Sequence, residues 1–350
     1  MAIPQTRFLP DQLEMRVKDG WLRKQTQGAL SIYNYTEATQ YGRHWDRYTR
    51  ACRGLILDSD YNLVALPFEK FFNLGEPDCP ALPDSRGGGV RAFDAYQKVD
   101  GSLGIWFYHD GAWRVATRGS FDNDYTVWAL KNAPDLRSFP TNWTIMTEIC
   151  MPADLDGMPR AVKHEPGVYF LGATDLYSLK DLRPCDAALT RWSGPTAKVH
   201  EVAGIDELTH RAKYEQGEEG WVVRYHTGLR VKIKTTWYLH LFRAISALNE
   251  KHVKELMAKQ GLDAWLKDFP EELQAEAKSI YDGIQTRFIT RRDAIMRDFG
   301  RINVETTSAD QFPREHRKAF ALAVKDHPEK PYMFMLLDGQ NIDNRLLEDC

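Results

Sequence analysis

The sequence predicts an α+β protein, with an antiparallel-sheet body over residues 1–243 and an all-helical part over residues 244–350. Two observations carry that division. Up to about residue 240 the apolar residues come in short runs and alternations broken by turn signals, the pattern of paired strands. After Trp237 they recur at three- and four-residue intervals, which is the spacing of one helix face.

The strand body can be read in order. Residues 54–72 hold two apolar runs around the Asp58-Ser59-Asp60 turn, as a hairpin does. Residues 102–117 repeat this around Asp110-Gly111, a dipeptide that accepts positive φ at both turn positions. Single strands are expected at 143–152 and 167–177, and a last hairpin at 220–235, turning near Thr227-Gly228. Ser85 to Gly89 reads as a flexible connector. In the helical part, Tyr238, Leu241, Ile245, Leu248 and His252 or Val253 form one stripe, and Ile280, Ile284, Phe288 and Ile295 another. A capping box at Ser308–Gln311 opens a further helix, which His327-Pro328 stops. There is no internal repeat and no low-complexity tract.

At 350 residues and 43% hydrophobic content, the chain can bury a substantial core and is expected to form about two domains. A net charge of -3 excludes a histone-like basic field but leaves room for a local basic channel. Five cysteines stand far apart without a CxxC pair, so reduced thiols are expected rather than a disulfide framework or zinc cluster. None of the ten histidines has metal-ligand spacing. The first residues lack the apolar core of a signal peptide, and no apolar run reaches the ~20 residues of a membrane span. The expectation is a cytoplasmic protein with no membrane association, and a monomer.

The residues that point to chemistry begin with Lys98-Val99-Asp100-Gly101-Ser102, directly ahead of a strand. Gly101 would let a ligand approach the backbone closely. Alone this is weak, because K-x-D-G arises by chance in on the order of one chain in ten of this size, and its plain reading is a solvated turn. Its company strengthens it. Glu148 lies within an apolar strand, where a charge is costly unless partnered. Glu219-Gly220 opens a strand whose hairpin partner carries Lys232 and Lys234 on one face and Val231 and Ile233 on the other. Two same-face lysines opposite a Glu-Gly start are either solvated or the floor of a phosphate site.

In this order, K-x-D-G, an acidic strand, E-G and K-x-K, with Arg-Gly elements nearby, resemble the covalent nucleotidyltransferase superfamily of ligases and capping enzymes. Residues 31–35 (SIYNY), 52–54 (CRG), 68–74 (FEKFFNL), 98–103, 118–120 (RGS), 147–149, 219–221 and 232–238 (KIKTTWY) narrow the resemblance to phage type 1, T-even-like, ATP-dependent RNA ligases. It spans roughly residues 30–240.

The resemblance implies an antiparallel-sheet nucleotidyltransferase domain followed by helices, with no OB domain. Lys98 would attack the α-phosphate of ATP and carry AMP. Arg53 and Lys70 would meet the nucleotide or its phosphates, Phe72 would stack on adenine, and Glu148 would hold the ribose. Glu219 would lie near Lys98 and the metal, with Glu148 also a metal ligand through water. Lys232 and Lys234 would grip the α-phosphate and the leaving pyrophosphate, and Tyr238 would complete the pocket. Arg118 stands where the family favours lysine, keeping the charge but changing a point into a planar fork. ATP and Mg2+ or Mn2+ are the implied cofactors. RNA with 5′-phosphate and 3′-hydroxyl ends, single-stranded or a broken tRNA loop, is the implied partner.

General chemistry agrees with these assignments. A lysine attacks only as the free amine, which Lys232, Lys234 and a metal ion would favour and Asp100, Glu148 and Glu219 would oppose. Mg2+ keeps several waters and binds through carboxylates and substrate phosphates. Arg43, Arg47 and Arg50, interleaved with His44, Trp45 and Tyr48, are either an RNA-end site or a solvated helical face. Arg291, Arg292 and Arg297 read as surface charge before RNA contacts, and Trp221 and Trp237 as core before base pocket. The competing readings are a DNA ligase or capping enzyme, which the missing β pattern after Trp237 opposes, and a non-catalytic RNA-end binder, which the intact motifs oppose.

Overall fold

The computed structural model describes residues 8–83, 93–152, 155, 160–183, 191–247, 253, 254, 257, 271–308 and 312–350. The chain forms two compact units, Met1–His240 and Leu241–Cys350. Among the described residues, no helix is long and apolar enough to cross a membrane.

The first unit is mixed α+β, built on three sheets. After α1 (Pro10–Lys18), strands β1 (Leu22–Gln27) and β2 (Leu30–Tyr35) form a hairpin. Helices α2 (Glu37–Gly42) and α3 (Arg47–Ala51) lead into β3 (Arg53–Asp58) and β4 (Leu63–Ala65), giving a four-stranded antiparallel sheet in the order β1-β2-β3-β4. One face buries Tyr33, Leu55 and Leu57, and the other buries Ile32 and Ile56 against Ile105 and Phe107 of the next sheet. That alternation is the two-residue strand period acting on an apolar run.

Next come β5 (Phe72–Asn73), β6 (Phe93–Gln97), β7 (Ser102–His109), β8 (Ala112–Ala116), α4 (Asp124–Asn132), β9 (Trp143–Cys150), β10 (Gly167–Asp175) and β11 (Lys180–Leu182). Strands β7 to β11 make the second sheet, antiparallel in the order β11-β10-β9-β7-β8. Its β7–β8 turn is the expected one, with φ +50° at Asp110 and +77° at Gly111. Trp106, Ile145, Ile149 and Phe170 pack on one face with Ala129 of α4. Asn123 caps α4 by accepting the Thr126 N–H, and Thr126 Oγ1 accepts from Asn123 in return.

The third sheet adds β12 (Val199–His200), β13 (Gly220–Tyr225) and β14 (Arg230–Lys234) to β6 and β5, in the order β12-β6-β13-β14-β5. Its pairs are antiparallel except the short parallel match of Phe72 and Asn73 with Val231 and Lys232. Helix α5 (Ile205–Arg211) covers it, burying Leu208 against Trp221, Val223 and Ile233. Thr235 Oγ1 then caps α6 (Thr236–Ala247) by accepting the Tyr238 N–H at 3.0 Å.

Gly220 has a backbone reason. Its φ is +140°, and a Cβ there would lie 2.0 Å from the Ile233 carbonyl oxygen. Gly220→Ala is expected to cost on the order of 2–3 kcal/mol, the size of a backbone strain that the fold cannot relax. Urea unfolding should show a lower midpoint with an unchanged slope; an unchanged midpoint would mean the strand start yields.

The second unit is helical in all its described elements: α7 (Glu271–Thr306), α8 (Pro313–Ala323), α9 (Lys330–Leu337) and α10 (Asp343–Glu348). Ile295, Ile302, Phe320, Tyr332, Met333 and Leu346 form its core. Of the expected helical stripe, Tyr238, Leu241 and Val253 are buried, while Leu248 and His252 lie outside the described residues. The Ser308–Gln311 cap also falls mostly outside them, and α8 starts at Pro313, where proline's fixed φ suits the first helical turn.

Candidate active site

The loop from Lys98 to Gly101 carries the chain out of the third sheet at Gln97 and into the second at Ser102. Its position is fixed at the first step, where the Lys98 N–H donates to the Gly220 carbonyl oxygen at 2.9 Å. From there the Lys98 ammonium donates to Glu219 Oε2 at 2.6 Å, and Lys234 Nζ lies 2.9 Å from Oε1 of the same carboxylate. The Glu219 side chain is 1% exposed, whereas the two lysines keep about a fifth of their surface in solvent, at 21% and 22%. Tyr238 completes the group: its hydroxyl bonds to Glu219 and its ring lies 4.6 Å from Lys234 Nζ.

Burial and charge set the titrations. Burial pushes the Glu219 carboxyl up, but Lys98 and Lys234 outweigh it and hold the group below the usual carboxylate range. Glu148, on β9, is pushed up to about 7, chiefly by burial, with Lys98 and Arg53 opposing and Glu219 adding to the rise. Burial also raises Asp100, helped by Glu219. Lys232 is pushed down to about 6 by burial and by the cations Arg53, Lys98, Lys70 and Lys234. No ion pair at Lys232 is found among the described residues; its ammonium instead faces the Phe71 ring at 5.0 Å.

Arg53, Lys98, Glu148 and Lys232 line one cleft between the second and third sheets. Its apolar walls include Phe71, Val99, Leu171 and Val222, so a flat heterocycle and a polyanion could share it. Strand alternation explains why Val231 and Ile233 enter the core while Lys232 and Lys234 face the site.

Several expected site residues are not among those lining this cleft. Phe71, not Phe72, is on the cleft wall, because neighbours in an extended segment point to opposite sides. Phe72 is buried against Trp45 at 5.5 Å, and the Lys70 ammonium sits 5.1–5.4 Å from the rings of Tyr35, Trp45 and Phe72. Arg118 donates to the Tyr35 hydroxyl at 3.2 Å and is likewise off the cleft wall. Gly101 serves the protein's own backbone: a Cβ there would be 2.6 Å from the Ile149 carbonyl oxygen. Tyr238 lies behind Glu219 and is not among the residues lining the cleft.

The arginine cluster is partly committed within the fold. Arg43 makes a forked bond to Asp78 with contacts of 2.9–3.1 Å, Arg47 donates to the Tyr48 hydroxyl, and Arg50 lies 3.6 Å from Glu69. In the helical unit Arg291 pairs with Glu329 and Arg292 with Asp343, each at 2.7 Å. Trp221 is wholly buried in the core of the third sheet. Sequence reasoning missed Phe71, Arg160 and His164, and also Arg224 and Arg230, which line the cleft while sharing Asp181 at 2.8 and 2.7 Å. Only the run of paired aromatics at Phe71-Phe72 held a signal for any of these.

Metal fit follows from the donor set. Both Glu219 oxygens already face lysines, and among the described residues no group of three His, Cys, Asp or Glu could hold an ion. The described residues therefore offer no closed cation cage.

Lys232 gives the protein's stability a measurable pH dependence. Between about 6 and the ordinary lysine value, the unfolded chain keeps a proton that the folded chain has lost at this residue. This group therefore makes the folded state gain stability as pH rises through that window. Measured at pH 6.5 and 9.5 without nucleotide, the stability of the natural chain minus that of Lys232→Met is expected to increase with pH. A difference that stays flat or falls would contradict the depressed value.

The profile of the RNA ligase family matches residues 51–238, which include Lys98, Glu148, Glu219, Lys232 and Lys234. An RNA ligase of Rhodothermus phage RM378 is 24% identical over 397 aligned positions, covering 92% of this chain and 88% of that protein. RNA ligase 1 of Bacteriophage TS2126 is 31% identical over 219 positions, 55% of this chain and 52% of that one. Among solved structures, a putative ATP-dependent DNA ligase from Aquifex aeolicus has a TM-score of 0.50 at 13% identity, covering 95% of this chain and all of its own. An archaeal ATP-dependent RNA ligase gives 0.50 at 13%, covering 95% and 96%. At that identity the structural likenesses speak for the fold alone. With more than half of the chain matched by its profile, this protein belongs to the RNA ligase family.

Proposed function

We propose that this chain is an ATP-dependent RNA ligase that carries AMP on Lys98 and joins 5′-phosphate to 3′-hydroxyl RNA ends. The single observation that supports it most is the Lys98–Glu219–Lys234 cluster beside Lys232, at the mouth of a cleft with apolar walls. Residues 1–243 would be the adenylation domain and residues 244–350 a helical C-terminal domain in place of an OB domain.

The roles follow from placement. Adenine enters between the apolar walls, with Phe71 rather than Phe72 among the cleft's aromatic contacts, and Glu148 receives the ribose. Lys232 is half-buried and has no carboxylate partner among the described residues, so an arriving phosphate supplies the missing charge and favours return of its proton. Glu219 holds Lys98 and Lys234 apart and oriented, with Tyr238 bracing the carboxylate. Arg53 meets the phosphates, while Lys70 and Arg118 support the Tyr35 side of the site. Mg2+ or Mn2+ would arrive with the phosphates of ATP, held through water near Glu148 and Glu219, and would neutralise phosphate charge.

Three transfers result: AMP to Lys98 with loss of pyrophosphate, AMP to the RNA 5′-phosphate, and attack of a 3′-hydroxyl with release of AMP. A DNA-joining reading is the alternative that the test must separate. The test is labelled ATP followed by a panel of nicked tRNA, single-stranded 5′-phosphorylated RNA and nicked duplex DNA. RNA joining or circularisation is expected; sealing of nicked DNA alone would overturn the RNA assignment, and absence of protein labelling would overturn the lysyl–AMP route.

A further inference from the structure

Residues 160–164, between β9 and β10, lie against the Lys98 loop and grip it through groups that have no role above. Arg160 donates from Nη1 to the Gly101 carbonyl oxygen at 3.1 Å, and from Nη2 to Ser102 Oγ at 3.3 Å and the Tyr125 hydroxyl at 3.1 Å. Its Nη1 also lies 3.8 Å from Asp100 Oδ1. His164 Nε2 accepts the Asp100 N–H at 3.0 Å. The Val162 N–H reaches Asp100 Oδ2 at 3.4 Å. Three consecutive residues after the nucleophile, Asp100, Gly101 and Ser102, are thus each held from outside the loop.

We propose that Arg160 and His164 are positioning residues that lock the Asp100–Ser102 backbone, so that the Lys98 amine meets the α-phosphate in line with the leaving pyrophosphate. The proposal rests on the lysyl–AMP reading above. Gly101 is required by its 2.6 Å approach to β9, yet a glycine frees the backbone beside the nucleophile. Arg160 and His164 remove that freedom. Arg160 is suited to the task because one planar fork reaches two acceptors at fixed spacing, while Tyr125 of α4 anchors it. With Arg160 23% exposed and Asp100 11% exposed, water competes little for these contacts.

The step they serve is balanced without them. The lone pair of the free Lys98 amine forms the P–N bond as the bridging P–O bond to the β-phosphate breaks, pyrophosphate keeps that electron pair, and the nitrogen gives its excess proton to solvent. Arg160 and His164 exchange no proton and touch no ATP atom. Misplacing the amine by about 1 Å costs on the order of a hundredfold in such a transfer. The third step, attack of a 3′-hydroxyl on pre-adenylated RNA, forms no bond to Lys98, and this separates positioning from general bracing of the fold.

The test measures two rates on the full chain: single-turnover AMP labelling from α-labelled ATP, and sealing of pre-adenylated RNA without ATP. Arg160→Ala and His164→Ala are expected to lower labelling roughly 10- to 100-fold, with half-saturating ATP changed less than about threefold. Sealing of pre-adenylated RNA stays within about threefold of the natural chain. His164→Gln, whose amide oxygen can accept the Asp100 N–H, restores most of the lost labelling. If Arg160→Ala does not fold, Arg160→Lys, which keeps the charge but not the fork, shows the same split. Equal losses in both steps, or labelling within twofold of the natural chain, overturn the proposal. A natural chain that takes no label overturns the lysyl–AMP reading itself, a result distinct from a natural chain that labels and variants that label equally well.

Discussion

Lys98→Ala leaves a protein that takes no label from α-labelled ATP and seals no RNA when ATP is the only energy source. The expected loss is complete within detection, because no second amine stands in the same place: Lys234 is turned onto Glu219 and Lys232 lies against Phe71. Acid and hydroxylamine treatment of the labelled natural chain should release AMP as a phosphoramidate does, and peptide mapping should place the label on the peptide containing Lys98. Labelling that survives the substitution would remove Lys98 from the chemistry and the whole covalent route with it. The fold is expected to survive, since the loss of Lys98 still leaves Lys234 on the carboxylate.

Glu219→Gln has the second-largest expected effect, and its cause is different. The substitution keeps the shape but deletes a charge that two ammonium groups share at 2.6 and 2.9 Å. Removing one partner of a buried pair costs about 3–5 kcal/mol when the others stay buried. Here the lysines can turn partly to solvent, so roughly 1–3 kcal/mol is expected, read from chemical unfolding. Labelling should fall on the order of a hundredfold or more, the usual size for loss of a preorganised electrostatic contact. Labelling within threefold of the natural chain would show that Glu219 is a bystander.

These residues were legible because their types are chemically constrained and their strands are strongly patterned. Lys98 and Glu219 are 121 positions apart, yet a Glu-Gly strand start paired to a K-x-K strand leaves few ways to bring them together. The β7–β8 and β13–β14 hairpins were equally readable from their turn residues and alternation. Other parts were not. The β1 segment Leu22–Gln27 is polar almost throughout and mostly exposed, so no apolar period announces it. Phe71 and Phe72 are both aromatic, and a one-residue uncertainty in register swaps which enters the cleft. Arg160 and His164 each reach the loop backbone through one hydrogen bond, which imposes no spacing on the sequence. The Arg43–Arg50 cluster looked free because its acidic partners, Asp78 and Glu69, lie on a distant segment that only the fold brings near.

The ion pair between Lys98 and Glu219 has a consequence for selectivity among reagents. An enzyme that keeps a strongly nucleophilic amine in a cell rich in aldehydes, cyanate and acyl phosphates risks irreversible self-poisoning. Paired as an ammonium with the Glu219 carboxylate, the nitrogen has no lone pair to offer such small neutral or weakly charged electrophiles. Only a visitor that brings several negative charges, and fits beside Lys232 and Arg53, can compete for the cations and release the amine. The consequence expected of the resting ion pair is that small electrophiles modify Lys98 slowly until a polyphosphate binds beside it.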